Sequence, residues 1–245
     1  IEYYKKLGID KIYLYDNNDI NGETFEIPAK YIDERFIEII DWRGIKTQQL
    51  KFFEECYHAN YQKYDWLMFY DIDEYINLTN YSNIHNYVSQ KKFENCQLIY
   101  LNWRLHTDNE KMFYENGTLF ERFPDYYRKN DYRIGKSIIK GNIKNIIFES
   151  PHYIDKKLYK CKDFDYIEHY EFKSTEEFIN KYKRGYNNWH GNKIQSVLFD
   201  RLSTYFKENM ITLEKIKYIE KELKINKNTT NTKQYEDISI KLRKQ

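Results

Sequence analysis

Cysteine is scarce in this chain: Cys56, Cys96 and Cys161 are the only three in 245 residues, far apart and without a Cys-x-x-Cys. An odd number at such spacing argues against a disulfide framework or a zinc knuckle and predicts a reducing, cytoplasmic setting. Long apolar runs are missing too. None approaches the roughly 18 to 20 residues that span a bilayer, and no signal peptide opens the chain. No long basic block precedes the tail, and Lys and Glu are interspersed, 40 basic against 38 acidic side chains for a formal charge of +2. That pattern speaks against nucleic acid as a partner. Glycine and proline are few, 8 and 3, and no Gly-rich phosphate loop lies near the start, which weighs against a nucleotidyltransferase.

What is abundant is aromatic: 26 Tyr and 15 Phe contribute much of the 41% hydrophobic content. Lys, Asn, Ile and Tyr together match the codon usage of an AT-rich genome, so the aromatic richness is set aside as functional evidence. The length fits one α/β domain with a helical appendage. The chain opens Ile1-Glu2-Tyr3-Tyr4-Lys5-Lys6-Leu7, already helix-like and without Met. A preceding segment is therefore expected.

The stretch that carries chemistry is Trp66-Leu67-Met68-Phe69-Tyr70-Asp71-Ile72-Asp73-Glu74-Tyr75-Ile76. Five apolar or aromatic residues in a row predict a strand buried on both faces in a covered parallel sheet. Strand alternation then puts Asp71 and Asp73 on one face at its carboxyl end, with Ile72 turned inward. Two such carboxylates are suited to sharing a divalent cation that carries a phosphorylated ligand.

Around that stretch the pattern predicts a helix before Gly8 and a strand over Lys11 to Tyr15. A second strand follows over 35 to 40, then a helix from Thr47 to Asn60 with Leu50, Phe53 and Tyr57 on one face. Asp16, closing the first strand, is placed either to meet a base or ribose or to make an Asx-turn. A short helix over Ser82 to Val88 and a strand over Cys96 to Trp103 come next. The strand leaves through His106-Thr107-Asp108-Asn109-Glu110, where a carboxylate could serve as general base or simply face solvent. Ser174 and Glu177 form a capping box, and Lys181, Lys183 and Arg184 gather at that helix's C-terminal end, where they also complement the helix dipole. Two further helices, around Ile194 to Leu202 and Ile211 to Leu223, precede a polar stretch and a basic tail.

Several segments, taken together, resemble the family-2-like and family-92-like glycosyltransferases: Tyr3 to Asn17, Trp66 to Ile76, Glu121-Arg122-Phe123, Lys136-Ser137-Ile138, His169-Tyr170 with Lys173-Ser174, and Lys183-Arg184-Gly185. The similarity runs collinearly over roughly residues 1 to 190. It implies a GT-A fold, a Rossmann-like, mainly parallel sheet flanked by helices. Expected boundaries are a catalytic domain over 1 to 190, ahead of which the resemblance implies a further strand of the nucleotide pocket, a helical extension over 191 to 225 and a tail over 226 to 245. The resemblance also implies a nucleotide-sugar donor, Mn²⁺ or Mg²⁺, inversion at the anomeric carbon, and a glycan or lipid-linked acceptor in surface polysaccharide synthesis, with peripheral association at a membrane.

Mapped onto this sequence, Asp71 and Asp73 hold donor and metal, and Asp16 lies near the nucleotide. His152, ahead of His169, supplies a third metal ligand or a diphosphate contact. Arg122, Lys136, Lys173 and Arg184 are cations suited to the leaving diphosphate. For the base that inversion requires, Asp108 is the first candidate and Glu121 the second. His106-Thr107-Asp108-Asn109-Glu110 stands where some relatives carry Gly-Ser-Ser-Gly-His, so the acceptor side departs from the family pattern. The rivals are a nucleotidyltransferase, an Asp-x-Asp phosphatase, which would want Thr or Val where Glu74 stands, and a non-catalytic carbohydrate-binding scaffold.

Overall fold

The computed structural model describes residues 1–17, 29–45, 49–127, 134–183, 201–202, 204–207 and 209–223. The chain divides into two compact units. The first comprises Ile1–Trp103 and Arg133–Ile167, the second Arg104–Tyr132 and Glu168–Gln245. This division runs through the expected 1 to 190 domain.

In the first unit α1 (Glu2–Lys6) ends at Gly8, whose φ of 88° is one a side chain would resist. The chain then enters β1 (Ile12–Asp16), α2 (Ala29–Asp33) and β2 (Ile37–Asp41). β1 and β2 pair in parallel, in register from Ile12 against Ile37 to Asp16 against Asp41. The helix α3 (Gln49–Asn60) follows, then β3 (Trp66–Met68) and β4 (Glu74–Asn77). Asn83 caps α4 (Ile84–Val88) by accepting the His85 N–H at 2.8 Å.

β5 (Leu98–Leu105), β6 (Gly135–Lys140) and β7 (Lys160–His169) complete a five-stranded sheet of order β3-β6-β5-β7-β4. β6 runs antiparallel to both of its neighbours, β3 and β5. The fold is thus mixed α/β, as expected, but its larger sheet is mostly antiparallel rather than mainly parallel. The alternation of strand and helix suggested parallel crossovers. The chain instead leaves β5 on a long excursion and returns beside it in the opposite sense, a path that local pattern does not encode.

Ile76, Tyr87, Phe93, Ile99, Leu101, Ile138 and Ile167 form the core of this unit. At Gly135 a Cβ would stand 1.9 Å from the Leu101 carbonyl oxygen, so β5 and β6 meet where no side chain fits. Cys96 and Cys161 are joined in a disulfide, which corrects the argument against disulfide pairing. Their separation of 65 residues hid the contact, which arises because the amides of Gln97 and Leu98 both donate to the Tyr159 carbonyl just before β7. The inference of a reducing compartment loses its basis with that pairing. Cys56 is a buried thiol.

The second unit holds α5 (Leu119–Arg122), α6 (Thr175–Lys183) and α7 (Leu213–Glu222). Leu105, Phe172, Phe178, Leu202, Tyr205 and Ile219 pack together there. The expected capping box is present: Glu177 N–H donates to Ser174 Oγ at 3.3 Å and Ser174 N–H to Glu177 Oε2 at 3.3 Å. α7 confirms the last predicted helix, whereas most of the one around Ile194 to Leu202, and the tail, lie outside the described residues. Among the described residues no helix is long and apolar enough to cross a membrane.

Candidate functional site

The apolar run that leads to the acids is a strand only as far as Met68, and β3 stands at one end of the sheet order rather than in its middle. The acids occupy a turn between β3 and β4, closed by the Glu74 N–H donating to the Asp71 carbonyl at 3.0 Å. Strand alternation therefore does not govern them. The Asp71 side chain is 39% exposed, whereas Asp73 is buried and Ile72, expected to point inward, is 90% exposed. The pairing of Asp71 and Asp73 on one strand face is corrected accordingly. A turn aims each side chain separately.

Asp71 is held from three sides. Gln49, in the first turn of α3, donates from Nε2 to Asp71 Oδ1 at 2.8 Å. Lys136 Nζ, from β6, donates to Asp71 Oδ2 at 3.1 Å and lies 3.5 Å from Glu74 Oε2. That same Glu74 oxygen accepts the Asp71 N–H at 3.0 Å. Lys136 and Glu74 are both essentially sealed from solvent, and the ammonium lies 5.8 Å from the Phe53 ring centroid.

α3 serves as the bracket for this arrangement, because residues four apart share a helix face. Gln49 and Phe53 address the turn and Phe69, the latter ring 5.0 Å away. Phe52 packs on the other side against Trp42 at 4.4 Å and Tyr15 at 5.6 Å, at the ends of β2 and β1. Asp16 ends β1 as a buried residue, its carbonyl accepting the Trp42 N–H at 2.8 Å.

Glu74 is the residue that sequence reasoning missed. Its signal was present, a third acid directly after Asp71 and Asp73, but nothing local said it would be fully buried. Burial pushes its carboxyl up to about 8, against the pull of Lys136 and with the push of Asp71 and Asp73. Its Oε1 is buried and has no hydrogen-bond partner, as is the Tyr70 hydroxyl, which burial and then Glu74 hold well above the usual tyrosine range. An unmatched buried polar atom calls for a reason, and a catalytic role or a bound water or ion is among them.

His152 reaches the same neighbourhood. Its Nδ1 lies 3.3 Å from the carbonyl oxygen of Gly135, the residue before Lys136, and its ring meets Trp103 edge-on at 4.7 Å. Among the described residues no group of three or more His, Cys, Asp or Glu is placed to hold a metal ion.

The remaining candidates belong to the second unit. His169 is buried, with its carbonyl accepting the His106 N–H at 2.9 Å. Asp108 is buried too: Oδ2 accepts from Lys215 Nζ at 2.5 Å and from the Tyr205 hydroxyl, Oδ1 from the Glu110 N–H at 2.8 Å. Its oxygens are thus engaged by groups of the same unit. Glu121 is exposed, and its Oε2 accepts the Thr118 N–H at 2.9 Å as part of the α5 capping box. Those bonds, from the Thr118 backbone first and its hydroxyl second, hold its carboxyl below the usual range.

Arg122 is buried against Glu177, with Nη1 at 3.3 Å from Oε1, and its guanidinium covers the rings of Tyr114 and Phe123. It is thus an internal tie rather than an open cation. Lys173 takes the left-handed conformation, φ 54°, ahead of α6. Arg184 lies outside the described residues.

Comparison with known proteins agrees with the sequence resemblance. The profile of glycosyltransferase family 92 matches residues 1–238. Over 75 residues the chain is 31% identical to a glycosyltransferase family 92 protein of Arabidopsis thaliana, a match that covers 31% of this chain and 13% of that relative.

Proposed function

This chain belongs to glycosyltransferase family 92, and from that premise we propose that it moves a sugar from a nucleotide-sugar donor to a glycan or lipid-linked acceptor, with the donor diphosphate seated at the turn Asp71-Ile72-Asp73. The observation that carries this reading is a part-exposed carboxylate, Asp71, braced by Gln49, Lys136 and Glu74, the last two sealed from solvent. Folding gains little from a charged cluster whose acid still faces water. A binding site gains a fixed geometry from it.

A divalent cation that arrives with the diphosphate would need few protein ligands, since Mg²⁺ and Mn²⁺ sites of this kind take one or two carboxylates and complete their shell with phosphate oxygens and water. Asp71, whose side chain is 39% exposed, would hold it, and the buried Asp73 stands two residues away in the same turn. When bound, such an ion supplies Lewis-acid stabilisation of the departing diphosphate. The chain's own part is distinct: Gln49 and Lys136 fix the two oxygens of Asp71, Glu74 fixes its main chain, and Lys136 adds positive potential beneath the site.

Calorimetric titration with Mn²⁺ and nucleoside diphosphates tests the proposal. Binding of nucleotide that strengthens with Mn²⁺ is the expected result. A protein that ignores both metal and nucleotide, yet binds oligosaccharide, is a non-catalytic carbohydrate-binding scaffold instead.

A further inference from the structure

In the second unit two large rings, Tyr126 and Phe120, face water at 44% and 38% exposure. What lies under them is fixed. The backbone at Tyr126 is zipped to the end of β5: Tyr126 bridges His106 in an antiparallel pair, the Tyr127 N–H donates to the Leu105 carbonyl at 2.8 Å, and the Thr107 N–H donates to the Asp125 carbonyl at 3.0 Å. The Arg104 guanidinium lies 4.6 Å from the Tyr126 ring centroid, so one face of that ring is taken and its tilt is set.

Glu168 anchors the layer beneath. Its Oε1 accepts from Arg104 Nη1 at 3.0 Å, and its Oε2 lies 2.8 Å from His106 Nε2. The other ring nitrogen of His106 donates to the Phe123 carbonyl at 2.7 Å, because a carbonyl only accepts. His106 stacks on Tyr170 with centroids 4.1 Å apart, and Phe120 meets Tyr170 edge-on at 5.6 Å. Both exposed rings are thus tied to one buried stack and, through it, to one buried carboxylate.

Stability alone does not call for this construction. Buried ion pairs gain little over apolar packing, and a ring that served the core would turn inward. A ring held still with an open face has already given up the freedom that binding would otherwise remove. Pyranoses are the matching ligand, since their C–H faces stack on aromatic rings while the hydroxyls at their rim keep their hydrogen bonds. Asp125, exposed beside Tyr126, suits hydroxyl donors; a bilayer would dehydrate it and an acidic chain would meet like charge. Resting on the transferase reading above, we infer that Tyr126 and Phe120 form the acceptor platform, on which a neutral glycan lies with its sugar rings stacked on theirs.

The test is saturation-transfer NMR and calorimetry with hexasaccharides of glucose, galactose, mannose and xylose, and hexagalacturonate as the acidic comparison. A neutral hexasaccharide should bind best, with saturation reaching its ring C–H protons first. Tyr126→Ala should weaken it about tenfold or more, the scale for truncating an aromatic anchor, and Tyr126→Phe, which keeps the ring, should lose much less. Should the alanine variant lose its native circular dichroism, Phe120→Ala carries the same expectation.

Nucleoside diphosphate binding with Mn²⁺, read in the same samples, separates the two claims. A folded Tyr126→Ala that binds the hexasaccharide as tightly as the parent, or a parent that prefers hexagalacturonate, overturns the inference alone. So does a parent that binds nucleotide but none of these saccharides, or an alanine variant whose change is the loss of a dimer in sedimentation, which would make the rings an interface between two copies. A parent that binds a hexasaccharide through Tyr126 but neither nucleotide nor Mn²⁺ overturns the transferase reading, and the acceptor role with it.

Discussion

Among the described residues two lysines are buried and paired with an aspartate, and they sit in opposite kinds of surroundings. Lys215 and Asp108, in the second unit, lie 2.5 Å apart with both side chains hidden, and Tyr205 and the Glu110 N–H use the remaining capacity of the carboxylate. Lys136 and Asp71, in the first, are 3.1 Å apart, and the aspartate still meets water. One pair is closed and fully spoken for. The other keeps a face for something else. Identical chemistry therefore yields a staple in one unit and a receptor in the other, and the difference lies in exposure and spare hydrogen-bonding capacity, not in residue type.

The sharpest way to break this contrast is to neutralise each aspartate in turn. Asp71→Asn should lower sugar transfer by about three orders of magnitude, the scale on which removal of a charge-stabilising group acts, in a protein that still folds, because Glu74 remains beside the Lys136 ammonium. Undiminished turnover would remove the first pair from the function. Asp108→Ala should do the reverse, costing about 3–5 kcal/mol of stability in urea denaturation because it strands the Lys215 ammonium in an apolar interior. A variant that stays stable but stops transferring sugar would make Asp108 part of the chemistry after all.

A smaller effect refines the description of the second unit. Burial acts to raise the Glu177 carboxyl, but the Arg122 guanidinium and the Ser174 hydroxyl and N–H together hold it below its usual value. A depressed acid contributes stability above its unfolded pKa of about 4.3 and loses it as pH falls through the folded value, because the unfolded chain then binds the proton first. Stability measured from pH 6 down to pH 3 should fall more steeply in the parent than in Glu177→Gln. Equal slopes would mean that the Arg122 tie is energetically idle.

How far the sequence disclosed all this depends on the range of the interaction. The α3 stripe of Leu50, Phe53 and Tyr57 and the box between Ser174 and Glu177 were legible because their partners lie three or four residues apart. The acidic turn was legible in place but not in form. An apolar run before two acids looks the same whether the strand continues or stops at Met68, and only the stop turns Ile72 outward. Glu74, the Cys96 to Cys161 link and the direction of β6 were out of reach, since each is fixed by segments more than 30 residues away. Asp108 shows the opposite hazard: a polar loop with a good candidate base was closed over by Tyr205 and Lys215 from the far end of the chain.

Gly135 sets the position of its neighbour, Lys136. A strand can slide against its partner only if every residue brought to the contact point fits there, and opposite the Leu101 oxygen there is room for a hydrogen atom and nothing larger. Shifting β6 by two positions either way would drive a side chain into that oxygen, so the ladder has one permitted setting. The glycine acts as an index mark on a sliding scale. It fixes how far along the sheet the next residue's amine arrives, and so the height at which positive charge meets the turn.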